Sequence, residues 1–273
     1  MICPSAPALS RPMTSAGSAA TSSAAPATAN GPLGGTRARP GRPAPGTPPP
    51  GPRMRITAMT RQGTGPAFDT RTANAARIYD YLLGGKDNFP ADRQAGDQLI
   101  KQLPGIAQAC RDNRDFLQRA VRYLAGQGIR QFLDIGTGLP TMGSVHEVAR
   151  DAAPGARVAY ADYDPLVLAH AHALLAGTPD VIAAEADLRH PGTITAHPGI
   201  RRHLDLDRPV AVLCVAVLHF VTDDEDPHAI TGQLMDAMAP GSYLAITHAT
   251  ADHVTTEAAA AARDVYATAS APV

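Results

Sequence analysis

The segment Phe132-Leu133-Asp134-Ile135-Gly136-Thr137-Gly138-Leu139-Pro140-Thr141 constrains the fold more than any other part of the chain. It reads as a short buried strand that enters a glycine turn and then a helix. Asp162 follows 28 residues after Asp134, at the end of a second strand-like run, Val158-Ala159-Tyr160-Ala161-Asp162. A third run ends at Glu185-Ala186-Asp187-Leu188. Ligands of open α/β sheets sit at the carboxyl ends of the strands, where strand order reverses. Three strands ending in carboxylates therefore predict the rim of a nucleoside site.

The periodicity around this segment extends the pattern. Strands are predicted at 130–135, 157–162, 181–185, 210–217 and 242–248, with helices at 142–152, 165–176 and 226–238 between them. Val210 to Leu218 is apolar throughout, as a parallel strand covered on both faces requires. Such alternation predicts a doubly wound, mostly parallel α/β sheet with right-handed crossovers. Before it, Ala75, Ile78, Tyr79, Leu82 and Leu83 recur at helical spacing up to Gly84-Gly85. Further helices are expected over 92–103 and around Phe116–Leu124, forming a helical cap over 67–128 ahead of a core over 129–273. The Ala-rich stretch 252–269 is helix-forming.

Residues 1–66 differ in kind. They hold 13 of the 25 prolines and 9 of the 24 glycines. They carry seven arginines, no lysine and no acid, a charge of +7. The remainder has 17 basic and 25 acidic residues, a charge of −8, so the overall −1 joins a basic tail to an acidic domain. With almost no large apolar side chains, the tail cannot offset its ordering entropy, and disorder is expected. Met54 and Met59 are alternative starts. The remaining 207 or so residues suffice for one domain with a core.

No apolar run approaches the ~18 residues of a membrane span, and no secretory signal is evident. Three widely spaced cysteines imply no disulfide framework and fit a reducing cytoplasm; Cys214 is expected to be a small core residue. His170 and His172 sit two residues apart in a helix, which points them to different faces, and no zinc spacing occurs, so no metal is expected. The chain has no tryptophan and few aromatics, and with an acidic domain this argues against a nucleic-acid substrate.

The glycine turn selects among cofactors. Gly136 and Gly138 allow close backbone approach to a ligand. A dinucleotide fingerprint needs G-x-G-x-x-G, but the third position here is Thr141. Asp134, just ahead of the first glycine, repels a pyrophosphate and suits an ammonium. S-adenosylmethionine combines an amino group, a sulfonium, a ribose diol and an adenine. Asp162 can accept from the ribose hydroxyls, and Asp187 from the adenine amino group. A nicotinamide cofactor is the alternative. Asp164-Pro165 reads as a helix cap with proline at the first helical position.

Several motifs together resemble one family. They are Asn74 to Phe89, with Gly84-Gly85-Lys86-Asp87-Asn88 at its end, Asn113-Arg114-Asp115-Phe116-Leu117, Gln131 to Thr141, Val145-His146-Glu147-Val148, Tyr160 to Pro165, Asp187-Leu188-Arg189 and Val217 to Val221. This set is similar to a bacterial S-adenosylmethionine-dependent methyltransferase family, abundant in high-GC Gram-positive bacteria and long known as a domain of unknown function. The resemblance covers roughly 67–273. It implies a Rossmann-like class I methyltransferase fold with a helical cap. Carried over, Asp134, Gly136 and Gly138 hold the methionyl end, Asp162 with Tyr163 the ribose, and Asp187 with Leu188 the adenine. The Tyr79–Asn88 stretch, with Tyr81, Gly84, Gly85, Lys86 and Asn88, covers the pocket.

Ser144 stands where the family often has Asn. The family's fold finishes with two further strands, and the sequence after 248 supplies only the helix 252–269. The sheet is therefore expected to lack both strands and to leave one edge bare.

His219, at the end of the fourth strand, is the candidate general base, if the acceptor must lose a proton. Its other reading is a packed strand-end histidine. Asp223, Asp224 and His248 are weaker candidates, and Arg114 and His146 are expected near the pocket or on helix surfaces. The expected activity is methyl transfer to a small-molecule or protein acceptor. A non-catalytic S-adenosylmethionine-binding protein and an NAD-dependent oxidoreductase are the alternatives.

Overall fold

A computed structural model describes residues 69–140 and 143–270. The expected disordered tail, Thr141 of the glycine turn, and Met54 and Met59 lie outside the described residues.

Three helices come first: α1 (Ala75–Leu82), α2 (Pro90–Gln102) and α3 (Ile106–Gly126). The alternating part follows as β1 (Gln131–Ile135), α4 (Val145–Ala152), β2 (Arg157–Asp162), α5 (Pro165–Leu175), β3 (Val181–Glu185), α6 (Pro191–Ala196), α7 (Pro198–His203), β4 (Ala211–Val215), α8 (Pro227–Asp236), β5 (Tyr243–Thr247) and α9 (Thr256–Ala267). All neighbouring strands pair in parallel, in the order β3-β2-β1-β4-β5. The chain starts in the middle, builds outward to β3, then returns beside β1. Strand order therefore reverses between β1 and β4, where this fold class opens a crevice.

Alternating side chains divide the core. Leu133, Ile135, Ala159, Val212 and Cys214 pack with Ile194, Ile200, Ile230 and Leu234 of α6, α7 and α8. Phe132, Val158, Tyr160 and Leu213 pack with Leu117, Val121, Val148 and Ala171 of α3, α4 and α5. Each fully buried aliphatic side chain contributes about 1.5–3 kcal/mol. Cys214 is wholly buried, as expected.

Local signals set the helix ends. Asp164 caps α5, its Oδ1 accepting from the Leu166 N–H at 2.8 Å, with Pro165 next. Glu147 accepts from the Ser144 N–H at 3.0 Å, so α4 starts at Val145 rather than at 142. The predicted strand 210–217 shortens to 211–215, because Ala216 takes a φ of 56° and ends the pairing. Two short helices, α6 and α7, occupy the stretch 188–209, for which the periodicity gave no element. The third cap helix starts at Ile106, ten residues before the first apolar residue taken to mark it.

Cap and core are interleaved rather than successive. The C-terminal half of α3 belongs to the sheet core through Leu117, Val121 and Leu124. Ala262 of α9 instead joins Ile78, Leu82 and Leu99 in a separate apolar cluster. A buried polar latch holds this cap down. The Asn74 side chain donates to Asp164 Oδ2 at 2.7 Å, and its backbone N–H to Asp92 Oδ1 at 2.9 Å. Asp92 also pairs with the Arg77 guanidinium at 2.9 Å, with both side chains almost wholly buried.

Candidate active site

A cavity of about 870 Å³ opens at the carboxyl ends of β1, β2 and β4 and is roofed by α1, α3 and α9. Its floor is the glycine turn. Gly136 and Gly138 have φ of +68° and +64°, a region L side chains rarely adopt. A Cβ on Gly136 would lie 2.3 Å from Val217 Cγ2, whereas one on Gly138 would meet nothing within 4 Å. The first glycine is thus required by packing and backbone, the second by backbone alone.

Asp134 and Asp162 line this floor and are 5% exposed each. Burial raises the Asp134 carboxyl to about 7, against the positive charge of Arg114 and the Thr137 hydroxyl. Burial raises Asp162 to about 6, against the backbone N–H groups of Asp164 and Gly138. Those two N–H groups donate to its Oδ1 and Oδ2, each at 3.0 Å. Each oxygen retains a second lone pair. Two buried carboxylates at one cavity floor favour a cationic, hydroxyl-bearing ligand.

Tyr163, Asp187 and Leu188 also line the cavity. Asp187 is engaged, however. Burial opposes its ionisation, yet the Arg189 side chain and backbone hold its carboxyl below the usual range. Arg189 Nε donates to Oδ1 at 3.0 Å and its NH2 to Oδ2 at 2.8 Å, and the same guanidinium lies 5.7 Å from the Tyr163 ring.

The cap covers the pocket with the first part of the expected Tyr79–Asn88 stretch and not with its glycine-lysine end. Tyr81, Gly84, Gly85, Lys86 and Asn88 are not among its lining; Tyr79, Asp80 and Leu83 are. The reason is local. The Gly84–Asn88 turn folds around the buried Asp80 side chain, with Asp87 N–H and Asn88 Nδ2 donating to Oδ2 at 2.9 and 2.8 Å. A Cβ on Gly85 would lie 1.9 Å from Asp80 Oδ1, so that position must be glycine. Tyr81 instead turns outward and donates to Asp97 at 2.6 Å. The motif shapes the roof without facing the cavity.

His219 lies in a 3-10 turn just beyond β4 and lines the cavity. Burial, with the charge of His248, lowers its imidazole to about 4, so it is neutral at neutral pH. Its ring centre lies 4.4 Å from that of Phe220, the planes tilted by 44°, and it meets His248 edge-on at 5.7 Å. Its buried Nδ1 has no partner among the described residues. His248 and Arg114 line the same cavity, whereas Asp223 and Asp224 do not. His146 sits in a small adjoining recess, its ring 2.8 Å from the Tyr160 hydroxyl.

A polar chain crosses the cavity wall from sheet to cap. The Thr247 hydroxyl donates to Asn113 Oδ1 at 2.7 Å, Asn113 Nδ2 donates to the Tyr79 oxygen at 2.9 Å, and the Tyr79 hydroxyl donates to the Cys110 carbonyl at 3.1 Å. Ala216 N–H closes onto Thr247 Oγ1 at 2.9 Å. Periodicity marked Tyr79 only as a helix-face residue, and Thr247 carried no signal beyond its place at a strand end. Among the described residues, no group of three or more His, Cys, Asp or Glu side chains is placed to hold a metal ion. No described helix is long and apolar enough to cross a membrane.

Comparisons with known proteins agree with this geometry. A DUF574-family protein from Streptomyces avermitilis MA-4680 is 46% identical, with a TM-score of 0.69, over 73% of this chain and 78% of that one. A candidate methyltransferase from Thermobifida fusca YX is 44% identical, with a TM-score of 0.70, over 74% of this chain and 76% of that one. A comparison with curated proteins gives no match. Residues 61–273 match a family model described as S-adenosyl methyltransferase. The parallel sheet with its reversal point, the glycine turn and the match across the whole α/β part make this chain a member of that family, an S-adenosylmethionine-dependent methyltransferase of the Rossmann-like class I fold.

Proposed function

We propose that the cavity holds S-adenosylmethionine on Asp134, Gly136, Gly138, Asp162, Tyr163 and Leu188, and that the methyl group passes to a small molecule rather than to a protein. The observation that carries this reading is the pair of buried carboxylates at the glycine turn, both raised by desolvation and both facing one cavity. Asp134 meets the ligand's amino group; each is uncomfortable alone, the carboxylate because it is dry and the ammonium because it must leave water. Asp162 accepts from the ribose hydroxyls with its spare lone pairs. Asp187, committed to Arg189, lines the adenine end and fixes the Arg189 and Tyr163 side chains.

The bound cofactor supplies an electrophilic methyl carbon whose bonding pair leaves with sulfur. The protein's share of the chemistry is alignment and exclusion of water, which is worth ~7–11 kcal/mol when geometry is held. We assign His219 to receive the proton that an acceptor hydroxyl or amine gives up on methylation. Its neutral state at neutral pH and its place on the wall support that role. A concave cavity roofed by α1, α3 and α9 favours a small acceptor over a side chain on a protein surface.

Calorimetric titration of the full chain with S-adenosylmethionine, S-adenosylhomocysteine and NAD tests the site. Micromolar binding of the first two is expected, weakened at least ~100-fold in Asp162→Ala, since two charge-assisted hydrogen bonds are worth about 1.5–3 kcal/mol each. Unchanged affinity in that variant sinks the assignment. Binding of NAD alone points to the oxidoreductase reading.

A further inference from the structure

The cavity extends beyond the residues assigned to the cofactor, into a compartment under the cap helices. Its volume of about 870 Å³ stands at the upper end of the ~300–1,000 Å³ of small-molecule sites and leaves room for two ligands. The carboxylates and glycines cluster at the strand ends. The opposite wall comes from α1, the α2–α3 junction, α3 and α9, and beyond the Tyr79–Asn113 chain it is largely apolar: Leu83, Leu103, Ile106 and Ala259 line it. Two polar groups bound it without a hydrogen-bond partner among the described residues. One is the His219 ring at the junction with the carboxylate floor. The other is the hydroxyl of Tyr266 on α9, whose ring meets Phe220 edge-on at 5.4 Å. Burial raises the Tyr266 phenol, so it stays a neutral donor at any working pH.

The remaining charged lining does not reach into this compartment as a ligand site. Asp80 is taken up by Asp87 and Asn88. Arg114 acts on Asp134. Arg263 is exposed at the mouth. Burying an unpaired charge against such a wall costs far more than burying a ring. The aromatic edges of Phe220 and Tyr266 favour a flat π-face between them.

We infer that this compartment is the methyl-acceptor site, that it takes an uncharged, ring-bearing apolar small molecule, and that the Tyr266 hydroxyl anchors it while its hydroxyl end lies at His219. The inference rests on the methyltransferase reading of the site. Tyr266 is here a specificity residue that orients the acceptor.

The test uses 2-naphthol as probe, titrated into the full chain saturated with S-adenosylhomocysteine. One-to-one binding is expected without displacement of the first ligand. Ala259→Phe, which fills the compartment, should weaken 2-naphthol at least tenfold and leave S-adenosylhomocysteine affinity within twofold. Tyr266→Phe, which keeps the ring and loses only the hydroxyl, should weaken 2,6-dihydroxynaphthalene, whose second hydroxyl reaches Tyr266, three- to tenfold and leave 2-naphthol within twofold; circular dichroism checks that both variants are folded. Absence of 2-naphthol binding to the saturated protein, competition between the two ligands, or equal loss of both in Ala259→Phe overturns the inference. Failure of S-adenosylhomocysteine itself to bind is a separate result and counts against the underlying cofactor site.

Discussion

At the scale of single residues, the chemistry of the site is set by how dry Asp134 is. Its folded-state carboxyl, raised from 3.8 to about 7, binds a proton that the unfolded chain has lost. The stability it contributes is therefore complete below pH ~4 and is lost as pH rises toward 7. Asp134→Asn has no such proton to lose. Thermal melts of the ligand-free protein should show the variant gaining on the parent between pH 4 and 7, by a few kcal/mol in all, with a constant difference above. A difference independent of pH would show that Asp134 is ionised throughout. His219 has the opposite sign: its imidazole is depressed to about 4, so its contribution is present above pH 6.5 and lost as pH falls. Asp134, Asp162, Gly136 and Gly138 were legible because backbone freedom and strand-end carboxylates are written in residue type. Thr247 and Tyr266 were not, because an aromatic or a threonine at helical or strand spacing has the same pattern whether it faces a core or a cavity.

At the scale of elements, boundaries follow caps and breakers, and the surprises have local causes. β4 ends early because Ala216 is left-handed, and this turn aims His219 toward the cavity. Gly136→Ala should cost about 1–3 kcal/mol from its left-handed φ and further strain from contact with Val217, read by denaturant unfolding. Gly84 has an equally unusual φ of +82° but open space around it, so Gly84→Ala should cost only about 1 kcal/mol. Equal effects at the two sites would mean that packing under the glycine turn is irrelevant. The α1–α2 junction carries a further expectation. Asp92→Ala leaves the Arg77 guanidinium buried without its anion and should destabilise by about 3–5 kcal/mol. The glycine-lysine motif was read as a pocket cover because it looks like a ligand loop. Its second glycine, Gly85, instead makes room for Asp80, a requirement visible only once the turn is folded.

At the scale of the whole molecule, the cavity is closed by parts of the chain far apart in sequence. The cap's apolar cluster contains Ala262 of α9, and Asn74 ties α1 to Asp164, two residues beyond Asp162. Ligand on the sheet floor should therefore steady the roof. Saturation with S-adenosylhomocysteine at ~100 times its dissociation constant should add about 2.7 kcal/mol of stability. It should also slow amide exchange in α1 and α2 as well as at the strand ends. Protection confined to the strand ends would show that the roof moves independently. The alternation of period two and period 3.6, the carboxylates at strand ends and the glycine turn determined the sheet and its direction from the sequence alone, and favoured S-adenosylmethionine over a dinucleotide. These are short-range facts, set by backbone sterics and by which face each residue must take. Which helix roofs the cavity, which carboxylates are already paired and which hydroxyl is left for a ligand were decided only by tertiary packing. Those properties depend on distances between segments up to 197 residues apart, such as the contact of Ala73 with Ser270, and no local pattern encodes them.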